Sequence, residues 1–235
     1  MRKSGNFVIT LLLFVLLFFV MGALFELPAP TKYTETKIVY QTVKEYINNT
    51  IEVPVGQIHE KNITVYGVAV FNDTRGGDIV AINLFMRAGY GGTFLDVSGK
   101  TFGADFQETL PLIRSYAQEF TGQNLMYKDI IIRIDTVAEN VQGSSGSAAI
   151  EIGLIAMLQD KTLKNDTIVT GILQPDGTLA AVSALDSKIA VAKSLGVIEL
   201  LIPKVQCALV NESQKTGMNI TCVNSISDAL EHMTA

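Results

Sequence analysis

The stretch "VQGSSGSAAIEIG", residues 141 to 153, sets Ser144, Ser145 and Ser147 among glycines, directly ahead of an apolar run. A serine hydroxyl becomes an acyl-transfer nucleophile when a neighbouring base takes its proton. Gly143 and Gly146 free the backbone for a sharp turn on either side of Ser144 and Ser145. A helix following the turn would aim free N–H groups and its positive dipole end at it, a natural place to stabilise an oxyanion. The base is harder to find. The chain has two histidines, His59 and His232, one ahead of the patterned part and the other three residues from the end. A Ser-His-Asp triad would have to recruit one of them. The other option is a lysine made neutral by burial, since its ordinary pKa of about 10.4 is too high for a base near neutrality. In "SALDSKIAVAKSLG", residues 183 to 196, Leu185, Ala192 and Leu195 mark an apolar helical stripe, and Lys188 falls on it. Lys193, five residues further on, points about 140° away. Two plainer readings stand beside these: a serine that only caps a helix, and a Lys188 that snorkels from the edge of the stripe.

These residues need a scaffold. From Ile63, "ITVYGVAVF", "GGDIVAINLFMRAG" and "GGTFLDVSG" alternate as strands punctuated by glycine. Asp105–Phe120 reads as a helix with Leu110, Ile113, Tyr116, Ala117 and Phe120 on one face. "KDIIIRIDTV" is a strand, and Ala148–Leu158 is a helix apolar almost all round, hence buried. "DTIVTGILQPDGTLAAV" reads as strand, Pro-Asp-Gly turn and strand. The Lys188 helix follows, capped by Ser183 and stopped by Gly196. "VIELLIP" and "NITCV" are strands, and "SISDALEHM" is a closing helix. Strands and helices mix without a regular βαβ series, so the class is α+β, or irregular α/β. There is no internal repeat and no G-x-x-x-x-G-K-[ST] phosphate loop.

"GSSGSAA" with its buried helix, followed by "VTGILQPDGTLAAVSALDSKIAVAKSLGVIELLIPK", resembles the proteolytic domain of Lon proteases, with a ribosomal protein S5 domain 2-like fold. In that family a G-x-S-[AG]-[GS] turn carries the nucleophile. A strand with Thr-Gly opens a hairpin, a helix bears the lysine base, and a strand ending in Ile-Pro follows. The resemblance implies Ser145 as nucleophile and Lys188 as base. It implies Thr170 as the hydroxyl that holds the lysine, with Gly143, Ser144 and Gly146 in support. The 43 residues from Ser145 to Lys188 fit the family interval without a gap. It covers most of residues 65 to 235. There are departures: Ser144 stands where bacterial members have Pro and one archaeal form has Asp, and Ile131 and Arg133 stand on the strand where bacterial members have histidines. Glu151 replaces an uncharged residue on the nucleophile helix, and no ATPase module accompanies the domain. The implied activity is ATP-independent cleavage of unfolded protein or peptides by a Ser-Lys dyad, without cofactor or metal, in a homo-oligomeric ring. A competing expectation is a Lon-fold binding or scaffold module that has lost turnover, since fold does not fix function.

The chain of 235 residues is 48% hydrophobic and 17% charged, and carries an apolar extra beyond one globular domain. "FVITLLLFVLLFFVMGALF", Phe7–Phe25, is uncharged and long enough to span a bilayer, which takes about 20 residues. Arg2 and Lys3 precede it, so residues 1–6 are expected in the cytoplasm and the remainder outside. A cleaved signal peptide is the competing reading; the run is long and lacks a clean A-x-A site. Residues 26–62 read as a juxtamembrane spacer and 63–235 as the peptidase domain. Sequons start at Asn48, Asn62, Asn72, Asn165, Asn211 and Asn219, candidate glycosylation sites that support an extracytoplasmic surface. Cys207 and Cys222 are a candidate disulfide there, with two free buried thiols as the alternative; no neighbours stand at metal-ligand spacing. The net charge of −5 and the lack of a basic block give no sign of nucleic-acid binding.

Overall fold

The computed structural model describes residues 61–71 and 76–235. The Phe7–Phe25 segment, the spacer to residue 60, His59, Asn48 and Asn72 lie outside the described residues. Among the described residues no helix is long and apolar enough to cross a membrane.

A four-stranded sheet in the order β1-β2-β5-β3 comes from β1 (Lys61–Val70), β2 (Gly77–Ala88), β3 (Thr93–Asp96) and β5 (Lys128–Asp135). β1, β2 and β5 are antiparallel neighbours, and β3 runs parallel to β5. Alternation along the strands sends Val65, Ile82, Leu84, Met86, Ile130 and Ile132 to one face. Helix α3 (Ser147–Leu158) packs on that face. All twelve of its residues are buried, because the sheet covers one side while α2 (Leu110–Thr121) and α6 (Ile226–Met233) cover others. Gly153 allows the close approach: a Cβ there would lie 2.8 Å from Leu84 Cδ1 and 3.1 Å from Val65 Cγ1. A helix of this length is marginal alone in water, so its stability comes from this burial.

A second sheet, in the order β11-β10-β7, is parallel throughout and is made by β7 (Thr167–Val169), β10 (Glu199–Pro203) and β11 (Asn219–Val223). Helix α4 (Leu185–Ser194) packs with β1 and β2, and Leu185, Ile189, Val191 and Ala192 join Val68, Ile168, Leu200 and Ile202 in a smaller core. The domain thus has two hydrophobic clusters, with β1 feeding Val65 to the larger and Val68 to the smaller. Short pairs complete the chain: β4 (Thr101–Phe102) with β6 (Asn140–Val141), and the hairpin β8 (Ile172–Leu173) with β9 (Leu179–Ala180). Cys207 and Cys222 are bonded to each other, tying the 3₁₀ segment Lys204–Leu209 to β11.

The mixed α+β class matches the sequence reading, with four local corrections. The Asp105–Phe120 helix is two, α1 (Ala104–Gln107) and α2, because Pro111 has no N–H to continue the ladder and the Thr109 hydroxyl donates to the Phe106 carbonyl at 2.7 Å. The strand through Thr170 is two, since the chain leaves the parallel sheet at Thr170–Gly171 and enters the hairpin. Ser183 is not the cap of α4: Ala184 holds that position with φ +52° and no side-chain capping bond. Leu195 is 51% exposed and off the buried stripe, whose members are Leu185, Lys188, Ile189, Val191 and Ala192.

Candidate active site

The two cores meet at the candidate dyad. The chain leaves β6, turns at Gly143 and winds one 3₁₀ turn, Ser144–Gly146, into α3. Gly143 has φ +86°, a conformation that favours glycine. Gly146 has φ −84° and ψ −8°, which any residue adopts, so the freedom expected of it is not used. A helix beginning at Ser144 has no intrahelical acceptor for its first N–H groups, which suits them to a developing oxyanion.

Three braces hold this turn. The Gly171 N–H donates to the Ser145 carbonyl at 3.0 Å, and the Ala148 N–H donates to the Gly171 carbonyl at 3.3 Å. The Ser147 hydroxyl is buried, accepts from the Leu173 N–H at 2.9 Å and donates to the Gly171 carbonyl at 3.4 Å. Ser147 is therefore a pin between α3 and the hairpin, which leaves Ser145 half-buried and reachable. A Cβ on Gly171 would stand 3.1 Å from Leu179 Cδ1, so this junction has little spare room.

From the other core comes Lys188, 3% exposed. Its Nζ lies 2.6 Å from Ser145 Oγ and 3.4 Å from Thr170 Oγ1. Thr170 Oγ1 in turn donates to the Ser145 carbonyl at 3.5 Å. With its proton spent there, the threonine oxygen can only accept from the amine, so a neutral Lys188 points its lone pair at the Ser145 hydroxyl. Burial pushes the Lys188 pKa down from 10.5 to about 8, because the charged form has lost its water. No ion pair among the described residues involves it.

The entry into α4 is strained and clamped. Ala184 in the left-handed region costs on the order of 1 kcal/mol. Two residues earlier, the buried Gln206 side chain accepts from the Val182 N–H at 2.8 Å and donates to the Val182 carbonyl at 2.9 Å. Neither Ser147 as a brace nor Gln206 as a clamp carries a signal in the sequence. One is a third serine beside two better-placed ones, and the other is a glutamine in a segment with no periodicity.

The other candidates lie elsewhere. His232 pairs with Glu199, Nδ1 to Oε1 3.6 Å. Lys193 is exposed and donates to the Ser213 carbonyl. Arg133 is exposed and pairs with Asp96 across β5 and β3. Asn62, Asn165, Asn211 and Asn219 are all exposed, with Asn211 capping the short helix α5 (Glu212–Lys215). Glu151 is fully buried on α3 and neither oxygen has a hydrogen-bond partner. Burial raises its pKa well above the ordinary carboxyl value.

A family model described as the Lon protease (S16) C-terminal proteolytic domain matches residues 37–235. The Lon protease of Phenylobacterium zucineum is 28% identical over 162 residues, 66% of this chain and 20% of that protein. The archaeal Lon protease of Methanocaldococcus jannaschii is 25% identical over 172 residues, 70% of this chain and 26% of that protein. The chain spans about a fifth to a quarter of the length of these relatives. A match that takes in every described residue leaves no ambiguity of family: the chain belongs to the Lon protease (S16) C-terminal proteolytic domain family, a family of serine-type endopeptidases.

Proposed function

We propose that this chain is a membrane-anchored, ATP-independent endopeptidase that cleaves unfolded polypeptides or peptides with a Ser145–Lys188 dyad. The observation that carries the reading is the 2.6 Å approach of a buried lysine amine to a half-exposed serine hydroxyl. Neutral Lys188 accepts the Ser145 proton as Oγ attacks the scissile carbonyl carbon. Negative charge on the carbonyl oxygen is met by N–H groups of the Gly143–Gly146 turn. The lysine ammonium then gives its proton to the leaving amine as the C–N bond breaks, forming an acyl-enzyme. Water attacks that ester, again losing its proton to Lys188, and Ser145 is regenerated. Thr170 orients the amine throughout.

The peptidase domain lies outside the cytoplasm, tethered by Phe7–Phe25. The Cys207–Cys222 bond and the exposed sequon asparagines Asn165, Asn211 and Asn219 support that side of the membrane. The domain assembles with copies of itself. Purified full chain should degrade unstructured polypeptide without ATP and react with a fluorophosphonate probe, and Ser145→Ala should abolish both. A probe-inert wild type that is folded would instead make the domain a binding module. Protease added to intact cells should remove the domain; protection until lysis would reverse the orientation.

A further inference from the structure

One end of the four-stranded sheet presents apolar side chains to the outside. β1 enters it there, with Lys61 opposite Met86 of β2, and β5 starts beside it, with Lys128 opposite Ala88. Between β2 and β3 the loop Gly89–Gly92 is firmly held. The Gly89 N–H bonds the Tyr127 carbonyl, and the Tyr90 and Gly92 N–H groups bond the Asp129 carboxylate. The Arg114 guanidinium reaches the Gly92 and Lys128 carbonyls. The braced loop nevertheless holds Tyr90 99% exposed, with Met126 and Tyr127 exposed next to it. Exposed Phe85 and Phe94 flank Ile131 across three strands, so the apolar stripe runs over the sheet into the loop. Residues 85–94 and 124–128 contain no carboxylate. The next carboxylates along the chain are Asp96, paired with Arg133, and Asp129, which is buried, turned onto the loop N–H groups and 3.9 Å from Arg87, while Lys128 adds flanking charge. Tyrosine, phenylalanine and methionine over a cationic fringe suit the headgroup layer of a bilayer, where amphipathic rings settle.

We propose that this tip, centred on Tyr90, Met126 and Tyr127, lies on the headgroup layer of the bilayer that Phe7–Phe25 enters. The proposal rests on the membrane-anchored reading above. Residues 26–60 separate that segment from β1, and β1 begins at the same end of the sheet as the tip. Thirty-five residues are long enough for the tip to reach the bilayer, at up to roughly 3.4 Å per residue, and a tethered surface needs only a weak contact. β5 runs about 26 Å from the tip toward Asp135, and the chain then continues through β6 to Ser144. Docking therefore turns the catalytic turn away from the bilayer, toward chains arriving from solution.

The chain contains no tryptophan, so Tyr90→Trp and Val137→Trp each introduce one reporter. Val137 is 81% exposed, past the far end of β5. Full-length variants are reconstituted into phosphatidylcholine–phosphatidylserine vesicles with and without brominated lipid, and flotation is read on the same samples. The Tyr90→Trp variant should lose about half its emission in brominated vesicles, as expected for a ring at the interface, and Val137→Trp should lose none. Adding Met126→Ser and Tyr127→Ser should reverse most of that quenching. A chain that does not float removes the anchored reading and this proposal with it. A chain that floats while Tyr90→Trp stays unquenched overturns the docking alone, as does a blue shift without quenching, the sign of a second copy covering the tip.

Discussion

Among the described residues, two ionisable side chains are buried without an ion pair, one beside each hydrophobic cluster, and they meet different fates. Lys188 lies in the smaller core and Glu151 in the larger, and burial drives each toward its neutral form. Around Lys188 two hydroxyls converge, and the neutral amine keeps a lone pair facing one of them. Around Glu151 no described donor or acceptor faces either oxygen, so its neutral form holds a proton that nothing takes. Burial alone makes a neutral group. A base appears where the neutral form also has a partner that its lone pair can serve. The difference is one of position: Lys188 on α4 faces the Ser144–Gly146 turn, and Glu151 sits one turn into a helix whose residues are all buried.

The contrast can be broken at several points. The largest effect belongs to Lys188→Arg. A guanidinium stays protonated, so peptidase turnover should fall by about a thousandfold or more while folding survives. Lys193→Arg, on the exposed face, should leave turnover unchanged, and a peptide-cleavage assay of both variants checks the pair. Next comes stability. The drop in Lys188 pKa from 10.5 to about 8 corresponds to about 3 kcal/mol of destabilisation wherever the lysine is charged. The unfolded chain binds the extra proton between those two values, so wild-type stability rises with pH across that window. Lys188→Met should therefore be more stable than wild type at pH 7 by up to about 3 kcal/mol, with the gain fading toward pH 10.5, in denaturant titrations.

Glu151→Met should also stabilise, by about 1–2 kcal/mol, through loss of an unpaired buried polar group. Its pH dependence has the opposite sign. The folded state holds the proton above the ordinary carboxyl pKa, so wild-type stability falls as pH rises, and the variant's advantage should be larger at pH 8 than at pH 4. Turnover of this variant should be close to wild type, which separates the two buried groups by function. The smallest effect is expected from Thr170→Val, which leaves the dyad in place but frees the amine's orientation. A loss of about tenfold in kcat with little change in KM is the expected result, the size of one neutral hydrogen bond.

Local rules left traces of this site, while the choice of Ser145, Lys188 and Thr170 among the alternatives came from the resemblance to Lon proteolytic domains. The turn glycine at 143, the all-apolar helix behind Ser145 and the lysine on a helical stripe each leave a periodic or conformational trace. Periodicity marked Lys188 as inward-facing but misjudged Leu195, because the helix ends at Ser194 and the left-handed Gly196 redirects the chain before that side chain can face the core. The braces left no trace, being tertiary bonds between segments far apart in the chain. Ser147 bonds Leu173, 26 residues away, and Gln206 clamps Val182, 24 residues back. The switch at Thr170–Gly171 from parallel sheet to hairpin was hidden for the same reason, since one apolar run serves two partners.

The central claim is that Lys188 is neutral enough near physiological pH to act as the base for Ser145. The most direct test is the rate of fluorophosphonate labelling of Ser145 as a function of pH, in wild type and in Lys188→Arg. The account predicts a wild-type rate that climbs with an apparent pKa of about 8 and levels off above it. The Lys188→Arg rate should stay near the Ser145→Ala background across the range. A wild-type profile that keeps rising to the ordinary lysine value of 10.5, or a Lys188→Arg protein that labels at the wild-type rate, would contradict it.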